Sequence, residues 1–411
     1  MTITNFRKAK KLKVTEVPGQ PTISRTACLK ITSGDDTATG TGEIVLDWTN
    51  IGSKADIGIY DENDNLLDYY FESFDATAET AVIWVYRSWV RDGTVQLQVA
   101  YGDGPSDQSV GASTVFGKET DLAAGYLFNE SSGDLIDVSG NGEDGTVYGA
   151  TQGVEGIVGG AYDFDGSDDH VELTDIDITS EITIFIWAYR ENLGGKSGPR
   201  LISKNVDVWR LRDKNDNGSL FFEIETSDGS ASPALSYENE TWFCAVARYD
   251  GSNVEIFKNG ELSQSENLSG DIATSNDNIY IAFEASGVAD PGDRWQGKAD
   301  HTRLYDSTLT SDEIDALYDA TKPSPSLFDQ GAGSGFATIS GQVTLSGSGV
   351  EGAKLFLVNE TTGELEATTT SDANGDYGFG AARPGDTYHV AVQYDDGTDK
   401  YNAKSKPYLV P

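Results

Sequence analysis

The chain has 411 residues, enough for two to four domains that each bury a core. Its 67 acidic and 29 basic residues give a net charge of −38, which excludes nucleic acid as a partner because phosphate binding needs a basic face. No apolar run is long enough to span a membrane, and the 46 glycines among many Thr, Val and Tyr favour an all-β fold.

The charge is not spread evenly. Residues 119–322 carry 13 basic and 40 acidic side chains, a net −27, against −5 for residues 1–118 and −6 for residues 323–411. A folded domain so charged repels itself in dilute buffer. Near 1 M salt the screening length is about 3 Å and the repulsion largely vanishes. The composition therefore reads as suited to very high salt, with a calcium-rich acidic surface protein as the alternative.

In chain order, residues 1–14 form a basic segment in which Arg7, Lys8, Lys10, Lys11 and Lys13 precede the first acid, Glu16. No apolar h-region follows, so it does not read as a secretory signal. It is the one patch able to pair with an acidic neighbour. Residues 15–118 read as a β-sandwich. Val95, Leu97, Val99 and Tyr101 alternate with Thr94, Gln96, Gln98 and Ala100, the period of a strand with one buried face. Ala81–Tyr86 is a second strand and Asp61–Asn65 a turn. Together with Ala55–Asp61, Tyr70–Ser73 and Val99–Gly102, these segments resemble an uncharacterised sandwich module of surface proteins, which implies no chemistry.

Residues 119–321 bring short apolar segments between turns dense in Asp, Asn and Gly. They open with Gly125-Tyr126-Leu127-Phe128-Asn129-Glu130, Asp137-Val138-Ser139-Gly140-Asn141-Gly142 and Ala161-Tyr162-Asp163-Phe164-Asp165-Gly166. Ile182–Tyr189, Thr241–Asp250, Val254–Gly260 and Gly297–Tyr305 follow as strands. Thr310 and Glu313 then have the spacing of a capping box, Leu309 and Ile314 fit a hydrophobic staple, and Pro323 ends the helix near 310–320. In order and spacing these landmarks resemble a laminin-G-like, concanavalin-A-like lectin domain, which implies a central jelly roll that binds glycans or proteins. The pattern departs from the family where Ala299 replaces a larger aliphatic and His301-Thr302 an acidic–aliphatic pair.

Residues 322–337, rich in Pro, Ser and Gly, read as a linker. Residues 338–411 contain Ile339–Thr344, Gly352–Leu357 and Asp372–Phe379, and resemble a carboxypeptidase-regulatory-like, transthyretin-like sandwich. The expectation is three β-sandwich modules in series.

No enzyme is expected. The three histidines, His170, His301 and His389, fall in unlinked contexts, and no zinc-binding spacing is present. Glu223-Ile224-Glu225 is the nearest approach to a glucanase strand and lacks the rest of its acids. Cys28 and Cys244 read as small apolar strand residues. The resemblance places a structural Ca²⁺ on Asp137, Asn141, Asp165 and Asp300, since hard cations take carboxylate and amide oxygens; the competing reading is that Asp and Asn serve the turns themselves. Trp209, Tyr237 and Trp295, beside turns, are the candidate glycan-stacking rings.

The resulting expectation is a surface protein of a tailed virus of a salt-loving host, as tail fibre, baseplate or capsid decoration. It would be assembled in the host cytoplasm as a homo-oligomer, for instance a trimer, beside other virion proteins. Its partner would be a host-surface glycan or surface-layer glycoprotein, without a membrane. A cellular adhesin at the cell surface and a polysaccharide-degrading enzyme are the alternatives. The charge itself is testable: the melting temperature of the chain should rise steeply between 0.1 M and 2 M NaCl, and a flat profile would contradict the high-salt reading.

Overall fold

The computed structural model describes residues 6–16, 19, 22–191, 198–205, 207–283, 294–323, 325, 327–335, 337–345, 348–360, 365–382, 387–395, 400–404 and 408–409. The chain is all-β. Among the described residues the α-helices are Ala112–Phe116 and Ser311–Thr321.

The first sandwich pairs two sheets. One has the order Ile44–Leu46, Thr22–Ser33, Thr80–Val90, Tyr69–Asp75. The other has the order Gly40–Thr41, Phe328–Gly335, Lys8–Val14, Val95–Tyr101, Ile57–Tyr60. The second sheet departs from the sequence expectation twice. Lys8–Val14 is no free basic arm but an interior strand, with Lys8 opposite Tyr101 on one side and Gly335 on the other. Three of this segment's five cations are matched: Lys8 reaches Asp36 at 2.6 Å and Asp47 at 2.9 Å, Arg7 pairs with Asp103, and the fully buried Lys10 donates to the carbonyls of Asp36 and Val45, while Lys11 and Lys13 are exposed.

The presumed linker, residues 322–337, likewise contains the strand Phe328–Gly335. Gln330 locks it in place: its amide nitrogen donates to the Glu43 carbonyl at 2.7 Å and its amide oxygen accepts from the Val45 N–H at 2.9 Å. Its glycines had read as a flexible connection. Ladder bonds on both sides use its backbone instead, with Lys8–Val14 on one edge and Gly40–Thr41 on the other. The jelly roll is therefore an insertion into the first sandwich rather than the second module of a series.

The inserted domain packs two larger sheets. Its front sheet runs Thr146–Tyr148, His170–Glu172, Tyr280–Ile281, Arg200–Asn205, Trp209–Asp213, Ser219–Thr226, Gly229–Ala231. Its back sheet runs Thr151–Glu155, Gly160–Asp165, Gln296–Tyr305, Ile182–Arg190, Trp242–Tyr249, Asn253–Lys258, Glu261–Asn267, and Leu122–Tyr126 also pairs with Gln296–Tyr305. The core between the sheets includes Ile182, Ile184, Ile186, Leu211, Phe222 and Ile256. On the other face of the back sheet, Phe185, Trp187, Cys244 and Val246 join one continuous core with Trp84, Trp89, Leu97 and Phe116. Being buried on both faces explains why Ile182–Ala188 is apolar almost throughout.

The helix Ser311–Thr321 lies over this back face. Its capping box is as expected: Thr310 Oγ1 accepts from the Glu313 N–H and Glu313 Oε2 accepts from the Thr310 N–H. Leu309 and Ile314 are buried together, and Arg91 of the first sandwich pairs with Asp315 at 2.7 Å and Asp319 at 3.0 Å.

A buried polar network fixes the same junction. Glu119 Oε1 accepts from the N–H and hydroxyl of Thr26 and lies 3.2 Å from Arg303, while Glu119 Oε2 accepts from the Tyr305 hydroxyl at 2.9 Å. Arg25 makes a two-pronged pair with Asp121 at 2.6 and 2.8 Å. His301 sits at a bulge with φ +49° and stacks flat on Trp84, ring centroids 4.8 Å apart. Burial and the neighbouring Arg303 push its imidazole well below the usual histidine range, so it is neutral.

The C-terminal unit pairs Lys354–Asn359 with Leu365–Thr370 and Thr387–Asp395, and Thr387–Asp395 with Lys400–Lys404. Its core is small, built on Leu355, Leu357, Phe379, Tyr388 and Val390.

The insertion has a direct consequence. A chain ending at residue 337 keeps the strand that completes the first sandwich and should show the thermal stability of the full chain in its first two domains. A chain ending at residue 323 loses that strand and should melt at least 10 °C lower or aggregate. Equal melting of the two chains would contradict the insertion.

Candidate functional site

The four residues expected to share a calcium ion are spread over three places. Asp137 is buried and saturated by its own loop. Its Oδ1 accepts from the N–H groups of Gly125 and Ser139, and its Oδ2 from the Ser139 hydroxyl and the N–H groups of Gly142 and Glu143. Asn141 turns its amide nitrogen to the carbonyls of Leu122 and Ala123, both at 2.9 Å. Asp300 is fully buried at the junction, where Oδ2 accepts from the N–H groups of Ile157 and Val158 and Oδ1 has no hydrogen-bond partner. Burial raises its carboxyl well above the usual range. Among the described residues, the carboxylates of Asp165, Asp168 and Asp169 lie within 4.8 Å of one another. Carboxylates filled by N–H donors and a buried carboxyl pushed toward neutrality do not fit a Ca²⁺ shared by these four residues.

The three candidate stacking rings are core side chains. Trp209 faces inward beside Leu211 on an alternating strand. The Tyr237 hydroxyl donates to Asp213 at 2.9 Å, and its ring stacks on Phe243 at 4.7 Å. Trp295 is fully buried, donates from its indole nitrogen to the Tyr189 carbonyl and lies under the Arg190 guanidinium. Proximity to turns in sequence did not translate into exposure, because each side chain points between the sheets.

A different set of rings reaches the surface. Directly opposed residues on neighbouring strands project to the same face, so strand register identifies the outward set of the front sheet. Tyr148 opposes His170, Glu172 opposes Tyr280, Tyr280 opposes Ser203, Ser203 opposes Arg210 and Arg210 opposes Glu223. Val171 and Ile281, one position along, belong to the core.

Tyr148 is 44% exposed and stacks on the His170 ring at 4.6 Å, interplanar angle 10°. Phe283 meets His170 at 5.0 Å and Tyr280 edge-on at 5.4 Å. The Arg294 guanidinium covers Phe283 at 4.1 Å. His170 Nδ1 donates to the Asp168 carbonyl at 2.8 Å, which fixes the ring. Gly149 ends the Tyr148 strand with φ +75°, and a Cβ there would lie 2.0 Å from Asp169 Oδ1. Only glycine lets the acidic 165–169 turn approach the tyrosine this closely. Glu172 accepts from Asn278 at 2.6 Å and from the Tyr280 hydroxyl at 3.2 Å.

Across the same face, Glu223 gathers three cations: Arg210, Arg212 at 2.7 Å and Lys214 at 2.7 Å. Burial opposes ionisation, but these three donors prevail and draw the Glu223 carboxyl down to about 2. It stays ionised at neutral pH and cannot serve as a proton donor, so the nearest match to a glucanase strand has a charge-pairing role.

The alternation around Val171 was the signal that could have found this face. With Val171 inward, His170 and Glu172 must point out. The unusual His301-Thr302 pair was a signal of another kind, because His301 is the ring on which Trp84 of the first sandwich stacks.

Comparison with known proteins agrees with this architecture. Residues 165–315 match the concanavalin A-like lectin/glucanases superfamily, residues 338–403 the carboxypeptidase regulatory-like domain, and residues 53–141 a domain of unknown function (DUF2341). The chain thus carries one domain of each kind. The DUF2341 match runs past residue 118 and takes in Glu119 and Asp121, the acids of the junction. Among curated proteins, none matches the chain in sequence. Among solved structures, the receptor-binding domain of botulinum neurotoxin D is similar at 13% identity and a TM-score of 0.40, over 69% of this chain and 74% of that one. Domain 4 of AbnA, an extracellular arabinanase from Geobacillus stearothermophilus, solved with arabinotriose, is similar at 20% identity and a TM-score of 0.38, over 48% of this chain and 98% of that one.

The Asp137 loop separates a structural carboxylate from a metal ligand. Asp137→Ala strands several donors, each costing about 1–3 kcal/mol when buried without a partner. The variant should lose about 3 kcal/mol or more of stability, by the same amount in EDTA and in millimolar CaCl₂. A loss confined to the calcium-loaded protein would reinstate Asp137 as a ligand.

Proposed function

We propose that this chain is a non-enzymatic surface-binding protein whose lectin-like domain holds a glycan on the outward face of its front sheet. The observation that carries the reading is the exposed Tyr148 stacked on His170 beside Tyr280 and Phe283. Sugar rings present apolar C–H faces that pack on aromatic rings, with hydroxyls that need polar partners around them. Glu172, the Asp168 carbonyl and Arg294 supply such partners at the rim of the aromatic group. The match of residues 165–315 to lectin-like domains supports the same reading.

In its narrower form, the proposal is a virion surface protein of a virus infecting a salt-loving host, with a host-surface glycan or surface-layer glycoprotein as its target. The net charge of −38 and the three β modules motivate it. Copurification of the intact chain with virus particles supports this form, while recovery with the cell envelope instead favours a cellular adhesin.

The binding face is tested on a glycan array and by calorimetry with the best glycan. Tyr148→Ala and Tyr280→Ala should each lower affinity about tenfold without changing the melting temperature by more than 2 °C, since tenfold corresponds to about 1.4 kcal/mol, the order of the apolar contact one ring contributes. Trp209→Phe and Trp295→Phe should alter stability but not selectivity. Full affinity in both tyrosine variants would overturn the assignment.

A further inference from the structure

Five Asn-x-Ser/Thr triplets lie in the chain, at Asn129, Asn217, Asn239, Asn267 and Asn359, and the glycan-binding reading uses none of them. Such a triplet accepts an N-linked oligosaccharide when its asparagine amide is free on a surface loop. The fold sorts the five. Asn129 has no free amide: its nitrogen donates to Glu72 at 2.8 Å and its oxygen accepts from the Gly160 N–H at 2.7 Å. Asn267 is exposed but closes the strand Glu261–Asn267 opposite Asn253, and the hydroxyl of Ser269 is given to Asp228 at 2.6 Å. Asn359 lies outside the described side chains. Asn217 and Asn239 differ from all of these. Both are exposed in turns, and among the described residues neither side-chain amide makes a hydrogen bond.

The two turns are neighbours. Ser219 pairs with Ser236, and the Tyr237 N–H donates to the Gly218 carbonyl at 2.8 Å, so Asn217 and Asn239 share one corner of the jelly roll. Asp213 holds the first turn from inside by accepting from the N–H groups of Asn215, Asn217, Gly218 and Ser219. The backbone is thus spent inward while the Asn217 amide stays in solvent. After Asn239 the chain turns through Glu240 at φ +56°, and the Thr241 hydroxyl reaches back to the Asn239 carbonyl at 3.5 Å. We infer that Asn217 and Asn239 are modification sites, each carrying an N-linked oligosaccharide. In the reaction, Nδ2 forms a bond to the anomeric carbon of a lipid-phosphate-linked oligosaccharide. The bond from that carbon to the phosphate oxygen breaks, its electron pair leaves with the lipid phosphate, and the amide gives up one proton. The Asn217 turn follows Trp209–Asp213, four strand spacings from Thr146–Tyr148, about 19 Å at roughly 4.8 Å each. Attachment there lies to the side of the aromatic group. The inference stands apart from the glycan-binding reading, because it concerns a sugar that the chain carries and not one that it binds.

The test is intact-mass measurement and peptide mapping of the full chain isolated from the cells that make it. Glycopeptides are expected at Asn217 and Asn239, with the peptides of Asn129 and Asn267 unmodified. Asn215, exposed two residues from Asn217 but outside any triplet, should also be bare. Asn217→Gln and Thr241→Ala, made in the same cells, should each remove one oligosaccharide from the intact mass and leave the melting temperature within 2 °C. Thr241→Ala keeps the Asn239 amide, so it separates recognition of the triplet from chemical attack on an exposed side chain. A chain bare at both Asn217 and Asn239 would overturn the inference. Sugar on Asn129 and Asn267 at the same occupancy would overturn selection by the folded structure. Sugar retained on Asn239 in Thr241→Ala would overturn the N-linked class of the modification.

Discussion

The back sheet of the jelly roll is buried on both faces, and most of the molecule's organisation depends on that. Ile184 and Ile186 fill the space between the two sheets, whereas Phe185 and Trp187 fill the space between jelly roll and first sandwich. Apolar contact holds the second boundary, and the Arg303–Glu119 pair fixes its register. A buried guanidinium is tolerated only when its hydrogen bonds are met. Arg303 meets Glu119, Thr26, Tyr305 and His301, and it lies over the rings of Trp84 and Phe116. Removing one partner of such a pair typically costs about 3–5 kcal/mol, a large share of a domain's total stability. The two bodies thus share one buried core, and the face of the back sheet toward the sandwich is covered by it.

Covalent connectivity points the same way. The chain leaves the first sandwich after Val95–Tyr101 and returns to it as Phe328–Gly335, and both strands flank Lys8–Val14. Two crossings at one sheet restrict the inserted domain far more than a single linker would. The network at Glu119 lies just after the outgoing crossing, and the Arg91 pairs with Asp315 and Asp319 lie just before the return. Orientation is set at both ends of the insertion, and the outward face of the other sheet is directed away from the sandwich.

Sequence reasoning recovered the local rules and missed the long-range ones. The Thr310–Glu313 capping box and the Leu309–Ile314 staple were legible because every partner lies within five residues. The alternation of Val95–Tyr101 gave a strand but could not give its neighbour. Pairing of Lys8 with Gly335 joins residues more than three hundred positions apart, and no local pattern encodes it. Phe328–Gly335 read as a linker because glycine weakens a strand's own signal, while its ladder partners on both sides supply what its side chains do not. The stacking rings failed for a related reason. Trp209, Tyr237 and Trp295 stand beside turns, yet burial depends on which side of the sheet a residue occupies, and a shift of one position inverts it.

The acids divide by the same logic. Those that sequence reasoning gave to a metal are taken up by backbone: Asp137 gathers the N–H groups of its own loop, and Asp300 those of the 157–158 turn. At the junction Glu72 accepts from Asn129 and from the Trp84 indole, and burial raises its carboxyl to about 7. Glu223 moves the opposite way because three cations meet it. Carboxylates of one chain thus sit at opposite ends of the ionisation scale, set by what surrounds them rather than by spacing in sequence. With so many acids serving turns or lying at the surface, the informative residues in this chain are the bases. Wherever several bases gather, at Arg25 and Arg303 or at Arg210, Arg212 and Lys214, they mark a surface that has to be matched. The first set is matched at the junction by Glu119 and Asp121, and the second by Glu223 on the outward face of the front sheet.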